Sequence, residues 1–411
     1  MTSTEPKRIL FVAENVTTDQ VTRLVSLAGS LPEQRFEVTF AASQFDPVVF
    51  DGMGFQRRRI HSLPRDQMLS RVAAGKQVYD DSVLRDYVEQ ERDLLKDSRP
   101  DLVVANFRPS LTVSAPLHGV PLATVVGAYW SPYAVRDGFP IPDHPTVKLV
   151  GLSVARRFLP KALPAAFALF AKPINELRRR HGLPAIGDLL DVMTWGDWVL
   201  HPDLPELAPT RGAPSHHHYL GRVPWSPKLP VPAWWEELPS DRPTLWVTLG
   251  SSGNLQAWPA LKQGLAGLPI NVMLATEGRF DPGPLPSNFW SAEWLPGPEA
   301  ARRADLAVTN GGAGSSYQAL AVGTPVLGLA SNLDQHLAMT GIERTGAGRL
   351  LRAGSLSPDE VRVAVNEMLG SDRYTQAARV SADRLGAWDA QERFLRLVDQ
   401  ITRTPQQRVS A

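Results

Sequence analysis

Several short polar clusters in the second half of the chain have the residue types and spacing to hold a phosphorylated ligand. Asn310-Gly-Gly-Ala-Gly-Ser-Ser316 follows the apolar run Asp305–Thr309 and precedes good helix formers. A strand that ends in consecutive glycines and then opens a helix aims backbone N–H groups, and the positive end of the helix dipole, beyond the carboxyl edge of a sheet. Ser315 and Ser316 add hydroxyl donors in the first turn. Taken alone, the loop reads equally well as a tight strand-to-helix turn whose glycines serve packing. It matches neither the dinucleotide-binding glycine pattern nor the lysine-bearing Walker pattern. Around it stand Trp294-Leu-Pro-Gly297, Gln318, Gly323-Thr-Pro325 and Asn332-Leu-Asp-Gln335.

The first half offers a different chemistry. After the apolar run Pro121–Ala128, the loop carries Tyr129, Trp130, Asp137, Asp143 and His144, aromatic walls with ionisable groups where ligands of parallel sheets bind. Asn106 and Arg108, after the preceding run, are placed to orient an acceptor. Asp143 and His144 are adjacent, so they do not pair with each other, and the prolines flanking them favour an exposed turn. Asp19 and Gln20 follow the first apolar run. Thr17-x-x-Gln20 reads as a helix capping box, and Asp19 as a first-turn acid favoured by the helix dipole. His216–His218 diverge and lack carboxylate or cysteine company at ligand spacing, so a solvated linker is expected there and no metal site.

The elements that must position these groups follow an α/β grammar. Arg8–Glu14, Phe36–Ala42, Asp101–Asn106 and Pro121–Ala128 are short apolar runs bounded by Pro, Asp or Asn, as buried parallel strands are. The intervening segment Val21–Leu31 places apolar residues at helical spacing, so the unit is strand-helix-strand. The same grammar restarts at Thr244–Ser252 and recurs in the runs after it, giving a second sheet. The proline-rich stretch between them stops any long helix or central strand. The expected division is residues 1–223, a linker over 224–241, a second domain over 242–385, and residues 386–411 as a last helix with its tail. Val154–Gly182 is basic and apolar. Its prolines predict a broken helix lining an acceptor pocket, with peripheral contact to a membrane as the alternative.

A chain of 411 residues has room for two such cores. With 43 basic and 42 acidic residues the net charge is +1, so no overall field draws it to nucleic acid or to anionic lipid, and small molecules are the expected partners. It contains no cysteine, which excludes disulfides, thiolate nucleophiles and cysteine-bound metals. No run long enough to span a membrane and no leader-like start is evident, so the expected location is the cytoplasm, as a monomer or homodimer.

In their order and spacing, Trp294–Gly297, Asn310–Ser316, Gln318, Gly323–Pro325 and Asn332–Gln335 resemble the donor-binding signature of the nucleotide-sugar-dependent glycosyltransferases of the GT-B fold. The branch most similar is the inverting one that decorates natural products and other small hydrophobic acceptors. The resemblance implies two Rossmann-like, doubly wound domains facing across a cleft, with the final helix packing back on the first domain. It implies a UDP or dTDP donor, a small hydrophobic acceptor and no cofactor or metal.

Carried over by position, Trp294 stacks on the nucleobase, with a core tryptophan as the alternative, and the Leu295 backbone pairs with the base edge. Gly312, Gly314, Ser315 and Ser316 cradle the diphosphate, with Ser251 and Ser252 approaching from the other side. Gln318 stands where relatives carry a ribose-binding glutamate; an amide offers a weaker grip and leaves a deoxyribose credible. Asp334 and Gln335 hold the sugar hydroxyls, although Asp334 also suits a helix N-cap.

The sequence departs from the pattern at two places. Asn310 replaces a histidine beside the diphosphate and brings no charge. Asp19-Gln20 stands at a Gly-His pair whose histidine deprotonates the acceptor. Gln20 cannot take that proton, which leaves Asp19 as the substitute base or as a solvated acid. The implied activity is therefore inverting glycosyl transfer at oxygen. The alternatives are a catalytically weak nucleotide-sugar-binding homologue or auxiliary protein, an epimerase, or a transferase with a lipid acceptor.

Overall fold

Continuous runs of buried Val, Leu, Ile and Phe need cover on both faces, and parallel strands between helices provide it. The computed structural model describes residues 5–403 and contains two compact units. The first holds the chain up to Arg136, Arg157–Trp225, and the chain from Asp389 onward; the second holds Asp137–Arg156 and Ser226–Trp388.

The first unit is built on β1 (Lys7–Ala13), β2 (Phe36–Ala42), β3 (Gln56–Arg59), β4 (Leu102–Asn106), β5 (Leu122–Val125), β6 (Trp198–His201) and β7 (His217–Tyr219). They form one parallel sheet in the order β3-β2-β1-β4-β5-β6-β7. The second unit has β8 (Thr244–Thr248), β9 (Asn271–Ala275), β10 (Phe289–Ala292), β11 (Leu306–Thr309), β12 (Val326–Ala330) and β13 (Gly348–Arg352), in the order β10-β9-β8-β11-β12-β13. Each sheet reverses its direction of growth once, between β1 and β4 and between β8 and β11. In doubly wound sheets that reversal leaves a crevice at the carboxyl ends, where ligands bind. Two Rossmann-like domains are thus present.

The helix Ala390–Arg403 turns Phe394, Leu397, Val398 and Ile401 into the core that holds Ile9 and Phe11. The Phe11 and Phe394 rings lie 6.1 Å apart.

The structure corrects four sequence expectations. Asp137–Arg156, placed by the sequence within residues 1–223, belongs to the second unit. Its anchor is Asp143, which accepts from Arg352 Nη2 at 2.6 Å and from Gly354 N at 2.6 Å, while its own N–H donates to Ser331 O. The same bonds make Asp143 a mostly buried ion-pair partner and not an exposed turn. His217 and His218 lie in the edge strand β7 and not in a linker. Finally, Leu152–Arg180 is one helix of 29 residues despite Pro160, Pro164 and Pro173. Each proline removes one backbone donor, and Pro160 and Pro164 are exposed, so water can satisfy the carbonyls they leave.

Candidate active site

In the second unit, the carboxyl ends of β8 and β11 bring together residues 58 positions apart. Asn310 is 5% exposed, and both ends of its amide are engaged. Its Nδ2 donates to Ser252 Oγ at 3.3 Å, and its Oδ1 accepts from Gly312 N at 3.0 Å. Such close approach needs glycines. A Cβ on Gly250, whose φ is +56°, would stand 2.9 Å from Asn310 Nδ2, and one on Gly311, at φ +78°, would stand 2.9 Å from Met339 Cγ. Gly312 is then the N-cap of the helix Ala313–Leu320 and offers no side-chain oxygen to its first turn.

Gln335 enters the same cluster. Its Oε1 accepts from Ser331 N at 2.8 Å and Ser331 Oγ at 3.0 Å, and its Nε2 donates to Ser252 Oγ and Ser252 O, each at 3.3 Å. At 1% exposure it ties loops together. Asn332, and not Asp334, is the N-cap of the helix Leu333–Thr345, in a capping box with Gln335. Asp334 is half-buried in the first turn. Ser316 is fully buried and hydrogen-bonded to Thr309 at 2.9 Å, so its hydroxyl fastens the helix to β11. Ser251 is buried, whereas Gly314 and Ser315 are half-buried.

Trp294 is half-buried and Leu295 buried, immediately before the helix Gly297–Arg303. Gln318 lies against that helix start: a Cβ on Gly297 would fall 2.2 Å from Gln318 Oε1. The tryptophan segment and the glutamine are therefore neighbours. One cation was missed in the sequence. Arg279, just past β9 on the same carboxyl edge, donates to the carbonyl of Gly250 and to that of Gly253 at 3.2 Å. Its place after a parallel strand was the available signal.

In the first unit, Thr17 and Gln20 form the expected capping box of the helix Thr18–Ala28. Asp19 is partly exposed and paired with Arg23 one turn on. Asn106 ends β4 and is buried. Arg108, expected to orient an acceptor, is fully buried instead. It bridges Glu14 Oε2 and Glu91 Oε1 at 2.8 Å each, with its guanidinium 3.6 Å from the Tyr87 ring centre. Burial pushes the Glu14 carboxyl up, against the pull of Arg108. This ionic core holds the ends of β1 and β4 together, and Phe107 between Asn106 and Arg108 takes a left-handed φ of +53°.

Tyr129 is buried and its ring folds back on Gly127, where a Cβ would meet Cζ at 2.5 Å. Trp130 is half-buried beside it. Arg136 donates to the carbonyls of Tyr129 and Ser131 at 2.8 Å each. Asp137 is exposed and His144 half-buried, and both belong to the second unit. His201 Nε2 and His217 Nδ1 lie 3.3 Å apart, and His201 Nδ1 faces Val126 O at 2.9 Å. Among the described residues no three His, Cys, Asp or Glu side chains converge to hold a metal.

Comparison with known proteins extends this picture. Residues 265–398 match the erythromycin biosynthesis protein CIII-like, C-terminal domain family. A PGL/p-HBAD biosynthesis glycosyltransferase of Mycobacterium tuberculosis (strain ATCC 25177 / H37Ra) is 42% identical over 381 residues, covering 92% of this chain and 89% of the relative. A PGL/p-HBAD biosynthesis rhamnosyltransferase of Mycobacterium bovis (strain BCG / Pasteur 1173P2) is 43% identical over 381 residues, covering 92% of this chain and 84% of the relative. Among solved structures, spinosyn rhamnosyltransferase SpnG complexed with thymidine diphosphate superposes with a TM-score of 0.70 at 18% identity, over 96% of this chain and 100% of that one.

Proposed function

Because the chain belongs to the nucleotide-sugar-dependent glycosyltransferases of the GT-B fold, we propose that it moves a sugar, with inversion, from a dTDP or UDP donor to an oxygen of a small hydrophobic acceptor. The observation that carries this reading is the Ser252 hydroxyl, which receives both the Asn310 and the Gln335 amides and so ties the segments after β8, β11 and β12 into one edge of the second sheet. The thymidine diphosphate bound by a structural neighbour supports the dTDP choice.

In this account Trp294 and Leu295 hold the base and Gln318 the ribose. Gly312, Gly314, Ser315 and Ser251 face the diphosphate, with Ser252, Asn310, Ser316 and Gln335 as positioning residues. Asp334 takes the sugar hydroxyls. Tyr129, Trp130 and Asn106 serve the acceptor. The acceptor oxygen attacks the anomeric carbon opposite the diphosphate; the new C–O bond forms as the bond to the phosphate oxygen breaks, and the nucleotide departs with that electron pair. Asp19 receives the acceptor proton. Backbone N–H groups at the helix start stabilise the departing charge, and Arg279 adds the positive charge that Asn310 lacks. No metal is needed for these steps.

A panel of nucleotide sugars tests the reading. Melting-temperature increases confined to dTDP or UDP sugars, with slow release of free nucleotide, would support it; no response to any of them would oppose it. The pairing of Asp19 with Arg23 favours a second reading, a homologue that binds the donor without turning it over. That reading predicts the thermal response with no nucleotide release.

A further inference from the structure

The helix Leu152–Arg180 is apolar on two faces, and the fold covers only one. Leu163, Phe167, Ala171, Ile174 and Leu177 are buried, and the last three pack with Leu84, Val88 and Val113. On another face Phe158, Ala162, Ala165 and Leu169 follow at three- and four-residue intervals, the spacing of one helical stripe, and all are exposed. Phe158 and Leu169 are 60% and 62% exposed. For large apolar side chains these are unusual values, since most such surface is normally buried or scattered.

The charges along the stripe have one sign. Arg157 and Lys161, four residues apart, run in the row beside it, and Lys172, paired with Glu176 at 3.8 Å, ends it, all three exposed. Between Asp143 and Glu176 the sequence contains no acid, although the whole chain is nearly balanced at a net +1. A protein partner's rim usually mixes polar groups of both signs. An apolar stripe whose charged neighbours on its own helix are cationic from Arg157 to Lys172 fits the boundary between hydrocarbon and anionic headgroups, because Lys and Arg stems lie along apolar surface while their charged ends reach the phosphates. No helix among the described residues is long and apolar enough to cross a membrane, so this is a surface contact.

We propose that the exposed face of Leu152–Arg180 docks on an anionic lipid bilayer. The contact is independent of the transfer reaction and does not require the donor site to work as described above.

Co-sedimentation with phosphatidylcholine vesicles, with and without phosphatidylglycerol, tests it on the full chain. The protein is expected to pellet with the anionic vesicles only, and to be released by high salt. The double variants Phe158→Ser/Leu169→Ser and Arg157→Glu/Lys161→Glu alter exposed positions. They should keep the wild-type melting temperature while partitioning at least about tenfold more weakly. Equal recovery with neutral and anionic vesicles, or variants that pellet like the wild type, would overturn the proposal. So would a wild-type dimer in light scattering that ignores vesicles and is dissolved by Phe158→Ser/Leu169→Ser, because the stripe would then belong to a second copy of the chain.

Discussion

Asn310 Nδ2 donates to Ser252 Oγ at 3.3 Å, joining the end of β11 to the loop that follows β8. With Gly312 N held on the other end of the same amide, Asn310 shapes the glycine loop without adding charge. Asn310→Ala removes both bonds. At about 0.7 kcal/mol each, within the usual net range of a hydrogen bond, they sum to about 1.4 kcal/mol, so the KM for the donor in the hydrolysis assay should rise about tenfold. An unchanged KM would mean that the loop keeps its shape by other contacts.

Gln335 and Asp334 are neighbours with separable roles. Gln335→Ala strips the acceptor from the backbone N–H of Ser331 in a buried setting. It should lower the unfolding free energy by about 1–3 kcal/mol in urea titrations. Asp334→Ala should leave stability nearly unchanged and weaken the nucleotide sugar while sparing the free nucleotide diphosphate. Equal effects of the two variants on stability would remove the distinction.

Thr17 and Gln20 are engaged in a capping box and Asp19 is paired with Arg23, and Asp19 is the base proposed for this turn. Asp19→Asn should reduce kcat for transfer by roughly a hundredfold, the ordinary contribution of a general base, with unaltered binding of nucleotide diphosphate by calorimetry. Turnover at the wild-type rate across pH would exclude Asp19 as the base.

His201 is fully buried, and burial pushes its imidazole pKa down to about 4. The folded state therefore keeps it neutral while the unfolded chain takes up a proton below about pH 6.5. Unfolding binds the extra proton, so stability is full above that pH and falls as pH drops toward 4. At pH 5 the loss from this group is about 2 kcal/mol. His201→Asn keeps a donor near Val126 O and removes the titration. Its unfolding free energy should decline less between pH 7 and pH 5, as measured by denaturant titration at each pH.

Much of the scaffold was legible because buried parallel strands announce themselves as apolar runs: β1, β2, β4, β5, β8, β9, β11 and β12 all do. The edge strands β3 and β7 do not, since Gln-Arg-Arg-Arg and His-His-Tyr carry no apolar run. Edge strands tolerate and even favour charge. Proline was overread in Leu152–Arg180, where neighbouring packing and solvent compensate the missing donors. The clasp of Asp143 on Arg352 joins positions 209 residues apart and leaves no local signal. At the candidate site, spacing pointed to the glycine loop. It could not show that Gln335 and Ser316 face inward, because a hydrogen-bond partner is a property of the fold and not of the motif.

The proposed donor site is tested most directly by isothermal titration of the chain with thymidine diphosphate and uridine diphosphate. Saturable binding of at least one of them at a single site is expected, weakened about tenfold by Asn310→Ala. Absence of binding by either nucleotide, or identical affinity in the Asn310→Ala variant, would contradict it.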